Sequence, residues 1–290
     1  MKENEFIQRI QVETARRLGT SYEVVLKEVT KNNGIILQGL LIYKKGGNIS
    51  PTIYLESFEN EYNRGVPIES IIDRILELYE QYVPQQSLDM SFFLDFEKVK
   101  DGIMYKLINA ENNRALLEEI PHICFLDLAI CFYYDFSNEE IGKGSILIRN
   151  DQVSCWDTCT KELMQLAQKN TGTLGVELVL LRDLLEEKEE YSELQVWVLS
   201  NHERNFGAAA MIQPGMLEEI AEKLEGSLYI LPSSVHEVIL LRDDGEESAT
   251  YLQWMVSEVN RAHVLPEEIL SDHIYYYRRE TGKLEMLETD

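Results

Sequence analysis

The chain has 290 residues with 44% hydrophobic content, enough to bury one large or two modest cores, and its 51 acidic against 27 basic residues give a formal net charge of −24. That charge repels phosphate backbones and anionic lipid surfaces, so direct nucleic-acid binding and membrane association are not expected. Solubility alone accounts for such an excess, while a sharper reading makes the chain a partner for a basic protein surface, or a decoy that imitates nucleic acid.

The opening MKENEFIQRIQ lacks the charged-then-apolar layout of a secretory signal, which predicts a cytoplasmic protein. Phe6, Ile7, Ile10 and Leu18 share one stripe of a helix over residues 3–18 that Gly19 stops. Residues 22–29 and 34–43 are rich in Val, Ile and Leu on either side of Asn32, Asn33 and Gly34 and predict a hairpin, followed by a short strand at 50–55. A helix at 56–64 precedes Pro67, which opens the best-patterned helix of the chain. There Ile68, Ile71, Ile72, Ile75, Leu76 and Tyr79 recur at intervals of three and four, with Glu69, Asp73, Glu77 and Glu80 opposite. A breaker-rich stretch at 84–87 ends this part.

A strand at 102–109 and a helix at 112–119 come next. Residues 122–136 then run almost uninterrupted in apolar side chains, as central strands do when both faces are covered; the run is too short for a membrane span and carries Asp127. A strand at 145–149 would pair with it. Asn150 or Asp151 caps a predicted helix reaching about Lys169, with Val153, Trp156, Leu163, Leu166 and Ala167 inward. A strand at 176–181 runs into the charged RDLLEEKEE, read as a solvated segment, and another at 194–200 leads to the stretch on which the chain turns. In that stretch we expect a small-residue strand from Gly207 to Ile212, a helix opened by Pro214 and closed by Gly226, and a hairpin of 228–231 with 235–241 around Pro232, Ser233 and Ser234. A helix at 251–262 and a hairpin of 274–277 with 284–287 around Thr281 and Gly282 close the chain. With more hairpins than crossovers, the pattern predicts an α+β fold of mixed, mostly antiparallel sheets flanked by helices, in two subdomains over 1–115 and 116–290.

Four cysteines are too few for a disulfide scaffold. Cys155 and Cys159, four apart on the predicted helix, would share a face, but with only His122 and Cys124 as supplements their spacing is not a zinc pattern, so the thiols are read as core packing and neither metal nor cofactor is expected. The polar run Asn201, His202, Glu203, Arg204 and Asn205 leaves a strand just before Phe206, Gly207 and three alanines, so something could approach closely there, with His202 titrating near neutrality and Glu203 as its partner. Ser233, Ser234 and His236 invite a hydrolase reading without supplying a nucleophile elbow, and His236 is expected to be a half-buried, satisfied histidine on a strand face. Asp272 and His273, adjacent before Ile274, complete the candidate polar site. No HExxH, phosphate-cradling glycine loop, GxSxG or dinucleotide fingerprint occurs.

The segments SPTIYLESFENEYNRGVPIESIIDRILELYE, NFGAAAMIQPGMLEEIAEKL, LYILPSSVHEVILL and SDHIYYYRRETGKL resemble an uncharacterised family of anaerobic gut bacteria, a domain of unknown function, over most of the chain. From about Leu126 onward, the order of elements around SILIRNDQVSCW, ELMQLAQKN and VLSN is also distantly similar to a second uncharacterised family of Gram-positive bacteria. Neither resemblance implies an activity or catalytic residues; both imply a cytoplasmic bacterial setting. The first family resembles accessory proteins of mobile elements, which implies interaction or host interference. The sequence therefore points first to a non-catalytic module that binds a basic protein, second to a hydrolase using some of His202, Glu203, Ser233, His236, Asp272 and His273, and third to a zinc or iron site at Cys155 and Cys159.

Overall fold

The computed structural model describes residues 2–47, 50–83, 90–136, 144–184, 195–245 and 248–287. They form two compact units, Met1–Phe92 with Phe136–Gly144, and Phe93–Asp135 with Ser145–Asp290. The breaker-rich stretch at 84–87 and the charged segment beyond Leu184 lie outside the described residues.

In the first unit α1 (Lys2–Leu18) leads into an antiparallel sheet of β1 (Tyr22–Thr30), β2 (Ile36–Lys44) and β3 (Thr52–Tyr54), followed by α2 (Glu56–Asn63) and α3 (Ile68–Tyr82). The turn between β1 and β2 holds Asn33 at φ 60°, a left-handed conformation that a short polar side chain tolerates. Phe6 and Ile10 of α1, Leu40 and Ile42 of β2, and Ile71, Ile72 and Ile75 of α3 share one core. The three-and-four spacing of α3 is therefore the spacing of its buried stripe, and each of these side chains contributes about 1.5–3 kcal/mol on burial. An Arg17–Asp73 ion pair ties α1 to α3 at the rim.

The second unit begins with α4 (Phe96–Val99) and a sheet in which β6 (Leu128–Asp135) is central. On one edge β6 pairs with β4 (Ile103–Asn109); β5 (His122–Phe125) and β7 (Ser145–Leu147) pair with its two halves. Every residue from Leu128 to Tyr133 is buried, which explains the uninterrupted apolar run. The β5–β6 turn is made by Leu126 at φ 54° and Asp127. Between β4 and β5 lies the short helix α5 (Arg114–Leu117).

The single helix expected over 150–169 is two: α6 (Asn150–Cys155) and α7 (Thr160–Gly172), broken where Asp157 adopts φ 50°. Trp156 causes the break. Its indole turns inward against Phe93 and Phe96, and its Nε1–H donates to the Phe93 carbonyl at 2.9 Å. Cys155 and Cys159 consequently share no helical face. They are exposed, as is Cys124, and only Cys131 is core, which corrects the reading of the thiols as core packing. Asn170 of α7 donates to the Lys100 and Ile103 carbonyls at 2.9 Å each and fixes the helix on β4.

A six-stranded antiparallel sheet in the order β13-β12-β10-β11-β9-β8 completes the unit. Its members are β8 (Glu177–Leu180), β9 (Val196–Ser200), β10 (Leu228–Leu231), β11 (Val238–Arg242), β12 (Tyr275–Arg278) and β13 (Lys283–Met286), with α8 (Leu181–Leu184) after β8. α9 (Met216–Lys223) and α10 (Ala249–His263) are its main helices. Leu252 and Val256 of α10 pack with Leu231, Leu241 and Ile274 on one face. The strand expected at Gly207–Ile212 is instead a buried 3-10 turn. Both edges of β9 are taken, by β8 and β11, so this segment has no ladder to join, and its small side chains let a helical turn be buried whole. These elements form an α+β fold whose recorded strand pairings, among the described residues, are antiparallel.

Candidate functional site

Residues 201–207 leave β9 as a tight loop built from its own polar groups. Buried Asn201 donates from Nδ2 to the Asn205 carbonyl at 2.8 Å and accepts the Asn205 N–H at 3.3 Å. Arg204 and Phe206 are both left-handed, at φ 49° and 53°, a strain of about 1–2 kcal/mol per residue that the surrounding bonds hold. Arg204 is clamped by two bonds to Glu177 of β8, at 3.0 and 2.9 Å. Gly207 is required by close approach, because a Cβ there would stand 2.0 Å from Ser200 Oγ and 2.4 Å from the His236 carbonyl. His202 and Glu203 are exposed, and the His202 ring lies over Gly175, where a Cβ would come within 2.6 Å of it.

His236 meets this loop from the 232–236 segment. Its Nδ1 accepts the Phe206 N–H at 3.3 Å, so the proton resides on Nε2, which faces Glu268 Oε1 at 3.5 Å. The ring stacks on Phe206, whose other neighbours are Tyr133 and the Lys106 ammonium, 4.3 Å from the Phe206 centroid. Both ring nitrogens thus have a neighbour within the fold. It stands just ahead of β11 rather than within a strand. The Ser234 hydroxyl accepts the His236 N–H at 3.1 Å, and buried Ser233 lines a cavity of about 190 Å³ that is otherwise apolar, between the sheet and α10. The two serines serve local backbone and core, as turn serines do.

The 232–236 segment runs antiparallel to 268–271 through bonds from Val235 N to Glu268 O, Leu270 N to Ser233 O and Ser271 N to Pro232 O. That pairing delivers Ser271, Asp272 and His273 to a second polar cluster. Its centre is Asp127 at the β5–β6 turn. One carboxylate oxygen accepts the Ser271 hydroxyl at 2.6 Å and His273 Nδ1 at 3.1 Å, while the other takes the Tyr275 hydroxyl. Tyr275 is fully buried; burial first, and then the charge of Asp127, push its hydroxyl pKa well above the ordinary phenol range. Asp272 turns away and accepts from Asn260 Nδ2 at 2.7 Å.

Chemically, this cluster orients one imidazole. With Nδ1 held by Asp127, Nε2 is the ring nitrogen left to meet an external group, and the side chain is 46% exposed. Ser271 is not its nucleophile, since that hydroxyl sits on the Nδ1 side and is committed to Asp127. The sequence candidates thus separate. Asn201 and Asn205 close one loop beside His236, His273 belongs to the Asp127 cluster, and no recorded contact joins two of His202, His236 and His273 among the described residues. Asp127, Ser271 and Tyr275 escaped the sequence reading; the available signal was an acid in the middle of the apolar 122–136 run. Among the described residues no helix is long and apolar enough to cross a membrane.

The chain belongs to the family described as Family of unknown function (DUF5688), which it matches over residues 3–279. No solved structure matches it.

Proposed function

We propose that the chain is a non-catalytic interaction module that docks a basic surface of a partner protein, with Tyr251 and Trp254 of α10 as its anchor. The observation that carries this reading is their exposure. At 53% and 59% accessible, the two rings stack with centroids 6.0 Å apart at an interplanar angle of 29°. Tryptophan and tyrosine dominate interface hot spots, and their faces attract arginine and lysine. The net charge of −24 favours the same kind of partner and speeds its approach. The test is capture from a host lysate by the tagged full chain and by a Y251A/W254A variant, at low and high salt. A stoichiometric partner that wild type retains at low salt, and that both high salt and the double substitution release, supports the reading. A partner held equally by the variant, or none at all, refutes it.

The Asp127–His273 pair favours a second reading, acid–base chemistry of a hydrolytic kind with His273 as base and Asp127 orienting it. A substrate screen comparing wild type with H273A decides it: turnover by wild type alone supports it, and equal turnover by both rejects it.

A further inference from the structure

A third feature lies on the α9 side of the six-stranded sheet. Trp197 of β9 is opposite Leu240 of β11, so Trp197 and Arg242 emerge on one face, the reverse of the face where Val196 and Leu241 meet α10. Trp197, Arg242, Gln195, Lys223, Leu224 and Glu225 line a cavity of about 280 Å³. The Lys223 ammonium stands 5.6 Å from the centre of the indole ring. The Arg242 stem crosses Gly226, where a Cβ would be 2.7 Å from its Cγ; only glycine lets the guanidinium be presented this way.

The helix end is shaped to the same purpose. α9 closes with the Glu225 N–H donating to the Glu222 carbonyl and the Gly226 N–H to the Ala221 carbonyl. In that closure the left-handed position normally holds glycine. Here Glu225 takes it, at φ 57°, and the glycine is displaced one residue on, beneath Arg242. The strained residue and the glycine that the arginine stem crosses are therefore neighbours at the end of α9.

The cations of this cavity are unusual for so acidic a chain. Every other arginine described in the second unit has a carboxylate partner. Among the described residues, Arg242 and Lys223 have no recorded carboxylate partner, and the buried Nε1–H of Trp197 has no acceptor. We propose that this cavity binds a small organic carboxylate whose flat apolar body lies against Trp197 and whose charge is held by Arg242 and Lys223. A monoanion is favoured over a phosphate ester because Glu225 offsets one of the two positive charges in the wall.

Isothermal titration of the full chain with benzoate, its neutral isostere benzamide, and phenyl phosphate tests the assignment, alongside R242Q and K223Q variants shown by circular dichroism to be folded. Benzoate binds saturably at one site, benzamide binds at least tenfold more weakly, and R242Q weakens benzoate at least tenfold, as expected for loss of a charge-assisted bond. K223Q weakens it less, because lysine contributes a point charge without a fork. The proposal is overturned by absence of saturable benzoate binding at millimolar concentrations, by equal affinity for benzamide, or by unchanged affinity in R242Q. Tighter binding of phenyl phosphate overturns the carboxylate assignment.

Discussion

Replacing Asp127 with asparagine probes the cluster that holds the β5–β6 turn to β12. The carboxylate receives three donors, from Ser271, His273 and Tyr275. An amide of the same shape keeps one acceptor oxygen and turns an NH₂ toward groups that are themselves donors. With the amide oxygen kept toward Ser271 and His273, the Tyr275 bond is lost at about 1.5 kcal/mol and the two remaining bonds fall from charged to neutral strength at about 0.5–1 kcal/mol each, so D127N costs about 3 kcal/mol of folding stability. The side chain is 18% exposed, which lets water relieve part of the loss and holds the figure near the lower end for charged bonds. Urea denaturation with an unchanged m-value measures it. Tyr275→Phe supplies the partner change, costing about 1–2 kcal/mol alone and at least 1 kcal/mol less in the D127N background, since the bond it removes is already gone. A D127N cost below about 1 kcal/mol, or additivity of the two changes within about 0.5 kcal/mol, would show that the cluster does not hold the turn.

Gly207→Ala forces a Cβ to within 2.4 Å of the His236 carbonyl and breaks the 2.8 Å bond from Ser200, so it costs about 2–4 kcal/mol, whereas Gly215→Ala, left-handed at φ 76° but with nothing within 4 Å, costs only about 1. Equal urea midpoints for the two variants would refute the packing argument. Glu225→Gly relieves the left-handed strain and stabilises the fold by about 1 kcal/mol, and a lowered melting temperature contradicts this. Burial raises the Cys131 thiol from 9.0 to about 12 and the Tyr105 hydroxyl from 10.0 to about 12. The folded chain keeps protons that the unfolded chain releases, so the stability these groups give is complete below pH 9 and is lost as pH rises toward 12. Denaturation at stepped pH should show that decline, made shallower in Y105F; a flat profile from about pH 8 to about 11 rules it out.

Elements whose stability comes from one repeating face were legible. The α3 stripe and the β1–β2 hairpin follow from spacing and turn chemistry, because the residues that decide them are neighbours in sequence. Misreadings arose where a distant contact overrode a local pattern. The periodicity through residues 150–169 is genuine, but Trp156 reaches Phe93, 63 residues away, and breaks the helix to do so. The run Gly207–Ile212 is apolar enough for a strand, yet both edges of its would-be neighbour are filled. The Asp127 cluster was hidden for the same reason: its bonds to Ser271, His273 and Tyr275 span 144 to 148 residues. Sequence could nominate His273, but it could not show which of its nitrogens is held.

That distinction ranks the two functional readings. His236 has partners at both ring nitrogens, while His273 is held at Nδ1 by Asp127, whose other donors include the neighbouring Ser271. The interaction reading needs nothing beyond what α10 already presents. Leu252 and Val256, at 0% and 2% exposure, fasten that helix to the sheet, and Asn260 binds the Ser271 carbonyl and the Asp272 carboxylate, so Tyr251 and Trp254 project from a fixed support. Because both rings face outward, Y251A/W254A should keep its urea stability within about 0.5 kcal/mol of wild type per substitution. Loss of partner at unchanged stability then isolates recognition from folding, whereas a large loss of stability would mean that the aromatic pair serves the core and that the anchor lies elsewhere.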